Sequence, residues 1–324
     1  MNLFEQQAAN RHRTWLVMAL FIAFFAIVGA GVDLFILGGG QGYFPVATLL
    51  ALAFGGGRAW WSLRFGDRAV LGSAEAQPLE ECLSRATDDD ARLRYRQFQN
   101  VVEEMAIAAG IPAPAPYVIP DDDPNAFATG RDPAHASIAV TEGLLRTLNR
   151  EELQGVVAHE MGHVRNLDIR LMMVVAALVG GILLLADWST RAMRFGGGRV
   201  RVRRDRDSGA VGLVVLIVWL VAIVLAPLIG QLLALAVSRR REYQADATGA
   251  ELTRNPLALA NALEKIDDAV APTTTIKRGT AHLCIADPLG KKVNDTESVW
   301  ANLWATHPPM AQRIAALKEM ALVH

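Results

Sequence analysis

The stretch from Thr14 to Leu37 holds one charge, Asp33, in an otherwise apolar run. It limits any fold, because roughly 20 predominantly apolar residues wound as a helix match the hydrocarbon thickness of a bilayer. A second run lies within Gly42–Leu63, after the turn GGGQG, and its apolar part ends at FGGGR. A third occupies Leu171–Ala186 and is short for a full crossing. The fourth, Gly209–Val237, is free of charge and holds Pro227, Gly230 and Gln231, where a helix kinks or leaves the membrane early. Up to four transmembrane helices are expected, in two pairs. The composition agrees, with 52% hydrophobic residues, 20% charged and a mean hydropathy of +0.23.

The first run is longer than the roughly 7–15-residue apolar centre of a cleaved signal peptide, and a second run follows at once, so it reads as a retained anchor. Arg11 and Arg13 precede this pair, Arg58, Arg64 and Arg68 follow it, and the loop between has no lysine or arginine. The positive-inside rule then puts both ends of the hairpin in the cytoplasm. The loop of the second pair, 188–207, is arginine-rich from Arg191 to Arg206. A full crossing would expose it outside, against that rule, so a re-entrant or surface-lying pair stays open. The chain divides into a tail, 1–13, a hairpin, 14–63, a polar part, 64–170, a second hydrophobic hairpin, 171–237, and a second polar part, 238–324. A formal net charge of −1 speaks against a nucleic-acid partner. Cys82 and Cys284 form no CxxC pattern and fit a reducing compartment.

The polar parts predict a mainly α fold with a small β-sheet, an α+β arrangement. ARLRYRQFQNVVEEMAIAAGI has apolar residues at helical spacing and a Gly-Ile-Pro stop. PAPYVIPDDDPNAFATG reads as strand, acidic turn, strand, and ASIAVTEGLL as another short strand. The run Asp121–Asp123 beside Pro124 is expected to be a solvated turn rather than a cation site.

TLNREELQGVVAHEMGHVRNLD starts as a helix, with Asn149 at the N-cap and Glu152 three residues on as a capping box. On that helix His159 and His163 share a face, and Glu160 projects beside them. This is the H-E-x-x-H pattern, in which two imidazoles hold zinc and the glutamate acts as general base. Such a site needs a third protein ligand. In SRRREYQADATGAEL, Glu242 and Asp246 share a helix face. Spacing alone leaves two readings of them: a ligand with an orienting acid, or a charged surface face paired to arginines.

Four blocks taken together resemble the HtpX family of membrane-bound zinc metalloproteases, relatives of the CaaX prenyl proteases. They are NVVEEMAIAAGIPAPAPYVI with PNAFATGRDP, VVAHEMGHVRNLD, SRRREYQADATGAEL and THPPMAQRIAAL. The resemblance implies a zincin-like domain with His159, His163 and Glu242 as ligands of one zinc ion and Glu160 as general base. It implies that Asp246 supports a ligand from behind, that Arg313 fixes the Glu242–Asp246 helix, and that His307 stabilises the oxyanion. Asn125, Ala126, Phe127 and Ala128 would belong to an edge strand that pairs with an extended substrate. The implied setting is a bacterial plasma membrane, with the lipid bilayer as partner and the site facing the cytoplasm. The implied substrates are polypeptides, chiefly misfolded or damaged membrane proteins. Charges around the motif helix, from Glu151 to Asp168, place the site at the membrane surface rather than in hydrocarbon. The competing readings are a CaaX-type prenyl-protein protease, a catalytically silent scaffold and a transporter.

Overall fold

The apolar run that begins at Thr14 belongs to a longer helix. In a computed structural model of the chain, which describes residues 3–35, 44–176, 178, 239–269, 275, 283–286 and 308–323, helix α1 is Leu3–Phe35 and α2 is Val46–Ser73. The tail expected at 1–13 is thus helical from Leu3, and the second helix runs well past residue 63. Both extensions are free of proline, so nothing breaks the helix where the apolar run stops. Val17, Met18, Phe21 and Phe25 of α1 pack with Ala59 of α2 and with Leu171, Met173, Val174 and Val175. Asp33, buried, closes the hairpin. Its carboxylate accepts from Ala47 N at 2.9 Å, Thr48 N at 2.7 Å and Thr48 Oγ1 at 2.6 Å. It so caps the first turn of α2, where the N-cap residue is Pro45 and makes no side-chain cap.

Among the described residues, no helix is long and apolar enough to cross a membrane. The basic loop 188–207 and the fourth hydrophobic run lie outside the described residues, as does the third run beyond 176 apart from Leu178.

Helix α3, Leu79–Arg85, leads into α4, Asp89–Ala109. Asp88 caps α4 with its side chain, and Gly110 ends it at φ 67°, in the left-handed region that favours glycine. Tyr95, Phe98, Val101, Val102, Met105 and Ala109 form its buried stripe. Four strands follow the sheet order β1-β2-β4-β3, with β1 Gln77–Pro78, β2 Ala115–Ile119, β3 Ala126–Gly130 and β4 Ala136–Thr141. β2 and β4 are parallel, and β3 runs antiparallel to β4 at the edge. The stretch read as one strand, ASIAVTEGLL, is strand only to Thr141. Thr141 Oγ1 accepts from Leu144 N and starts α5, Glu142–Thr147.

Helix α6, Arg150–Arg165, packs against α4, β3 and two helices from the far end of the chain, α7 Arg239–Thr253 and α8 Pro256–Asp268. Helix α9, Met310–Val323, covers α8. One core takes Phe98 and Val102 from α4, Ile138 from β4, Val156 and Val157 from α6, Leu259 and Leu263 from α8, and Leu317 from α9. The two polar parts of the sequence therefore share one interior.

The acidic turn departs from expectation. Asp121 is buried and accepts from Asp123 N and from Thr275 N and Oγ1. Only Asp122 is well exposed, in an ion pair with Arg146. Asp121 is thus a latch between distant segments. Composition could not show this, because its partner Thr275 is 154 positions away.

Candidate metal centre

The motif helix begins as its cap residues require. Asn149 accepts from Glu152 N at 2.9 Å, and Glu152 accepts from Asn149 N at 2.9 Å. Glu152 is buried and is paired by Lys265 at 2.7 Å, so it is not a solvated flank. From Val156 to Val164 every residue of α6 is buried. His159 and His163, one turn apart, meet edge to face with ring centres 4.8 Å apart.

Helix α7 reaches these rings because small residues line the crossing. A Cβ on Gly249 would lie 3.1 Å from His159 N, and one on Gly162 would lie 3.2 Å from Ala245 Cα. The close approach puts Glu242 between the imidazoles, with its oxygens 3.9 Å from His159 Nε2 and 3.6 Å from His163 Nε2. One donor atom from each of the three residues lies within 4.8 Å of the others.

Each imidazole is held from behind. His159 Nδ1 is 2.9 Å from Asp246 Oδ1. Arg313, fully buried, grips Asp246 with Nε at 2.9 Å and Nη2 at 2.7 Å. Burial opposes the charge of Asp246, but Arg313 outweighs it and holds the carboxyl at about 2. His163 Nδ1 is 3.1 Å from Asp168 Oδ2. Asp168 returns to its histidine through a turn in which Leu167 sits at φ 61°, a left-handed conformation that costs a non-glycine residue roughly 1–2 kcal/mol. Burial lowers the His163 pKa, yet the Asp168 hydrogen bond and Glu242 carry it up to about 9 without a metal. With each Nδ1 turned to a carboxylate, each Nε2 is left facing Glu242.

Glu160 lies between this cluster and the sheet edge. Burial pushes its carboxyl pKa up, while the charges of His159 and His163 and the nearby backbone of Ala128 pull it back. Thr141 N donates to Asn125 O across the β3–β4 pair. By strand alternation, Ala126, Ala128 and Gly130 therefore turn their backbone groups to the outer edge. Phe127 turns its own towards β4 and buries its ring in the core with Val70 and Ala139. The segment 283–286 lies on the outer edge at Ala126. Ile285 N donates to Ala126 O at 2.9 Å, Asn125 Nδ2 donates to Ala286 O at 3.2 Å, and Arg313 Nη1 donates to Ile285 O at 3.0 Å.

Residues 92–321 match the model described as peptidase family M48. A protein named Protease HtpX homolog from Caldanaerobacter subterraneus is 41% identical over 320 residues, covering 99% of this chain and 98% of its own length. The chain belongs to peptidase family M48, in its HtpX group. Further M48 relatives with the same name come from Streptococcus gordonii, 38% identical, and Lactiplantibacillus plantarum, 41% identical. Each is covered in full and spans 98% of this chain. The crystal structure of S. mikatae Ste24p overlays 83% of this chain and 64% of its own, with a TM-score of 0.40 and 18% identity. That match is too loose to transfer an activity.

The buried residues of this M48 peptidase fit a divalent metal. His159 Nε2 and Glu160 Oε2 are buried with no hydrogen-bond partner among the described residues, a costly state unless something occupies the space between them. Four buried carboxylates, Glu160, Asp168, Glu242 and Asp246, stand against two buried guanidiniums, Arg241 and Arg313. A cation held among these acidic groups would take the place of the proton that His163 otherwise holds. Two imidazoles and a carboxylate are a donor set suited to zinc.

Of the residues singled out in the sequence, the structure brings His159, Glu160, His163, Glu242, Asp246 and Arg313 together, with Asn125, Ala126 and Ala128 alongside. His307 lies outside the described residues. Sequence reasoning missed Asp168 as a partner of His163, along with Asn10, Gly249 and Ile285. In the sequence Asp168 is one of several charges around the motif helix; in the structure it is 1% exposed. Its only local signal was its place just after the helix end.

Proposed function

We propose that this chain is a membrane-anchored zinc endopeptidase, with His159, His163 and Glu242 as the zinc ligands and Glu160 as the general base. The observation that carries the reading is the convergence of one donor atom each from His159, His163 and Glu242, all buried and within 4.8 Å of one another. Zinc held there would supply Lewis-acid chemistry, polarising a water and the scissile carbonyl. Glu160, with its pKa raised by burial, takes the proton of the attacking water on its unpartnered Oε2 and delivers it to the leaving amine. Asp246 and Asp168 accept from the two Nδ1 atoms, so that each Nε2 would be the nitrogen that holds the metal. The outer edge of β3 binds the substrate as an added strand at Ala128 and Gly130, since Ile285 closes the Ala126 end. His307 is assigned to the oxyanion on resemblance alone.

The hairpin supports the membrane part of the reading. Its outward side shows Trp15, Leu16, Leu20, Ile27, Leu50 and Trp60, each more than half exposed. A continuous apolar face of this kind on a helical pair suits lipid. Arg58 stacks on Trp61 at 4.8 Å from the ring centre, an interfacial arrangement. The polar start of α1 touches the end of α6, which supports a metal centre beside the cytoplasmic membrane surface. The boundaries 14–63 and 171–237 for the hydrophobic pairs, and damaged membrane proteins as substrates, are part of this proposal.

The test is zinc content and cleavage of an unfolded protein, in detergent, by the wild type and by Glu160→Gln. One zinc in both, with turnover at least about 1,000-fold lower in the variant, is expected. Normal cleavage by Glu160→Gln would sink the mechanism, and folded wild type without zinc would sink the metal.

A further inference from the structure

Helix α1 touches the metal centre through its polar first turns. Asn10, 4% exposed, uses both hydrogens of its carboxamide. One goes to Asn166 O at 3.0 Å and the other to Asp168 Oδ1 at 2.7 Å. Both partners are acceptors, which settles the end of the carboxamide that carries nitrogen. The other oxygen of Asp168 faces His163 Nδ1 at 3.1 Å. Nearby, Gln7 Nε2 donates to Arg165 O at 2.8 Å, and Thr14 Oγ1 donates to Asn10 O at 2.8 Å. Side chains of α1 thus cap the end of α6, more than 150 positions away in the chain.

We propose that Asn10 is a positioning residue of the metal centre. It fixes the Asp168 carboxylate, which in turn fixes the tautomer and ring plane of His163. The proposal rests on the reading of His163 as a zinc ligand. Asp168 has another neighbour, Arg241, whose Nη1 stands 3.6 Å from the same Oδ1. That is an ion-pair distance and too long for a hydrogen bond. Asn10 therefore makes the directional bond at this oxygen, and it also holds the backbone of the turn at Asn166. Aspartate at position 10 would have the same shape but could not donate, and it would face Asp168 with like charge. Glutamine would be one methylene too long. The geometry makes the affinity of the centre for zinc depend on how α1 is seated.

The experiment uses the full chain in detergent and reads the zinc dissociation constant by chelator competition, with the melting temperature of the zinc-free protein alongside. Asn10→Ala and Asn10→Asp are each expected to bind zinc about tenfold more weakly, the lower end of what loss of an outer-shell partner does. Gln7→Ala, which loses a bond from the same helix to α6 but none to Asp168, should stay within about threefold. Asn10→Ala placed on Asp168→Ala should add less than about twofold, because its effect runs through Asp168. If Asn10→Ala does not fold, the isosteric Asn10→Asp carries the readout. Unchanged zinc affinity in the Asn10 variants, or full additivity in the double variant, overturns the proposal and leaves the ligand set standing. Stoichiometric tight zinc in His163→Ala overturns the ligand set itself.

Discussion

His159 and His163 stand one turn apart on α6, and each has a carboxylate behind its Nδ1, but the two braces are built differently. Behind His159, Asp246 takes two hydrogen bonds from Arg313, which also donates to Ile285 O. Behind His163, Asp168 takes a single bond from the neutral Asn10 and reaches its histidine through a left-handed turn. The first brace is bidentate and joins α6, α7, α9 and the segment on the outer edge of β3. The second is one amide bond from the α1–α2 hairpin, with Arg241 Nη1 as an ion-pair neighbour at 3.6 Å from the same carboxylate. Two parallel bonds from a guanidinium fix a carboxylate more firmly than one bond from an amide. The His159 brace should therefore be the stronger, and the His163 brace the one that depends on the seating of α1.

The largest effect should come from breaking the charged brace. Arg313→Met leaves Asp246 buried with its cation gone and should cost about 3–5 kcal/mol, read by urea unfolding in detergent. Arg313→Lys should recover only part of that, because an ammonium cannot make two parallel bonds. A loss under about 1 kcal/mol in Arg313→Met would show that the two braces are equivalent.

Next comes the crossing that lets one glutamate serve both halves. Gly249→Leu should cost about 1–3 kcal/mol from overpacking and should reduce zinc affinity in proportion, by moving Glu242 off both rings. Gly72, where an added Cβ meets nothing within 4 Å, is the control. Gly72→Ala should leave zinc binding unchanged and unfolding within a few tenths of a kcal/mol or slightly improved. Equal zinc affinity in the two variants would mean that the close approach of α7 is not what forms the centre.

The smallest effect concerns a carboxylate with neither brace. Burial, aided by the nearby charge of Asp121, pushes the pKa of Asp123 up to about 6. Its folded value lies above its unfolded value, so the native state holds the proton more tightly. Stability should then fall as pH rises from about 4 to 6 and level off above that. Asp123→Asn should flatten this part of a melting-temperature profile. An identical slope in the variant would place the titration elsewhere.

Much of the protease core was legible because its signals are local. The Asn149–Glu152 box, the Gly110 stop and the apolar stripe of α4 each lie within a few residues of one another. The i,i+4 pairs His159–His163 and Glu242–Asp246 follow from helical spacing alone. Misread were the residues whose partners are remote. In the sequence Asp33 is only the one charge of an apolar run; in the structure it caps the next helix. Asp121 looked like a solvated turn and is a buried latch. The tail before Thr14 looked separate from the protease and touches its centre.

By itself the sequence determined which residue types could bind a metal, on which helices and on which faces, because backbone periodicity and end-capping act over one or two turns. The tertiary structure decided that Glu242 stands between the two imidazoles, that β3 is the edge strand beside Glu160, and that Asn10 reaches Asp168. Those outcomes depend on how closely α6 and α7 approach and on contacts across more than 150 positions. Such contacts form when surfaces pack, and they leave no pattern in the local chain.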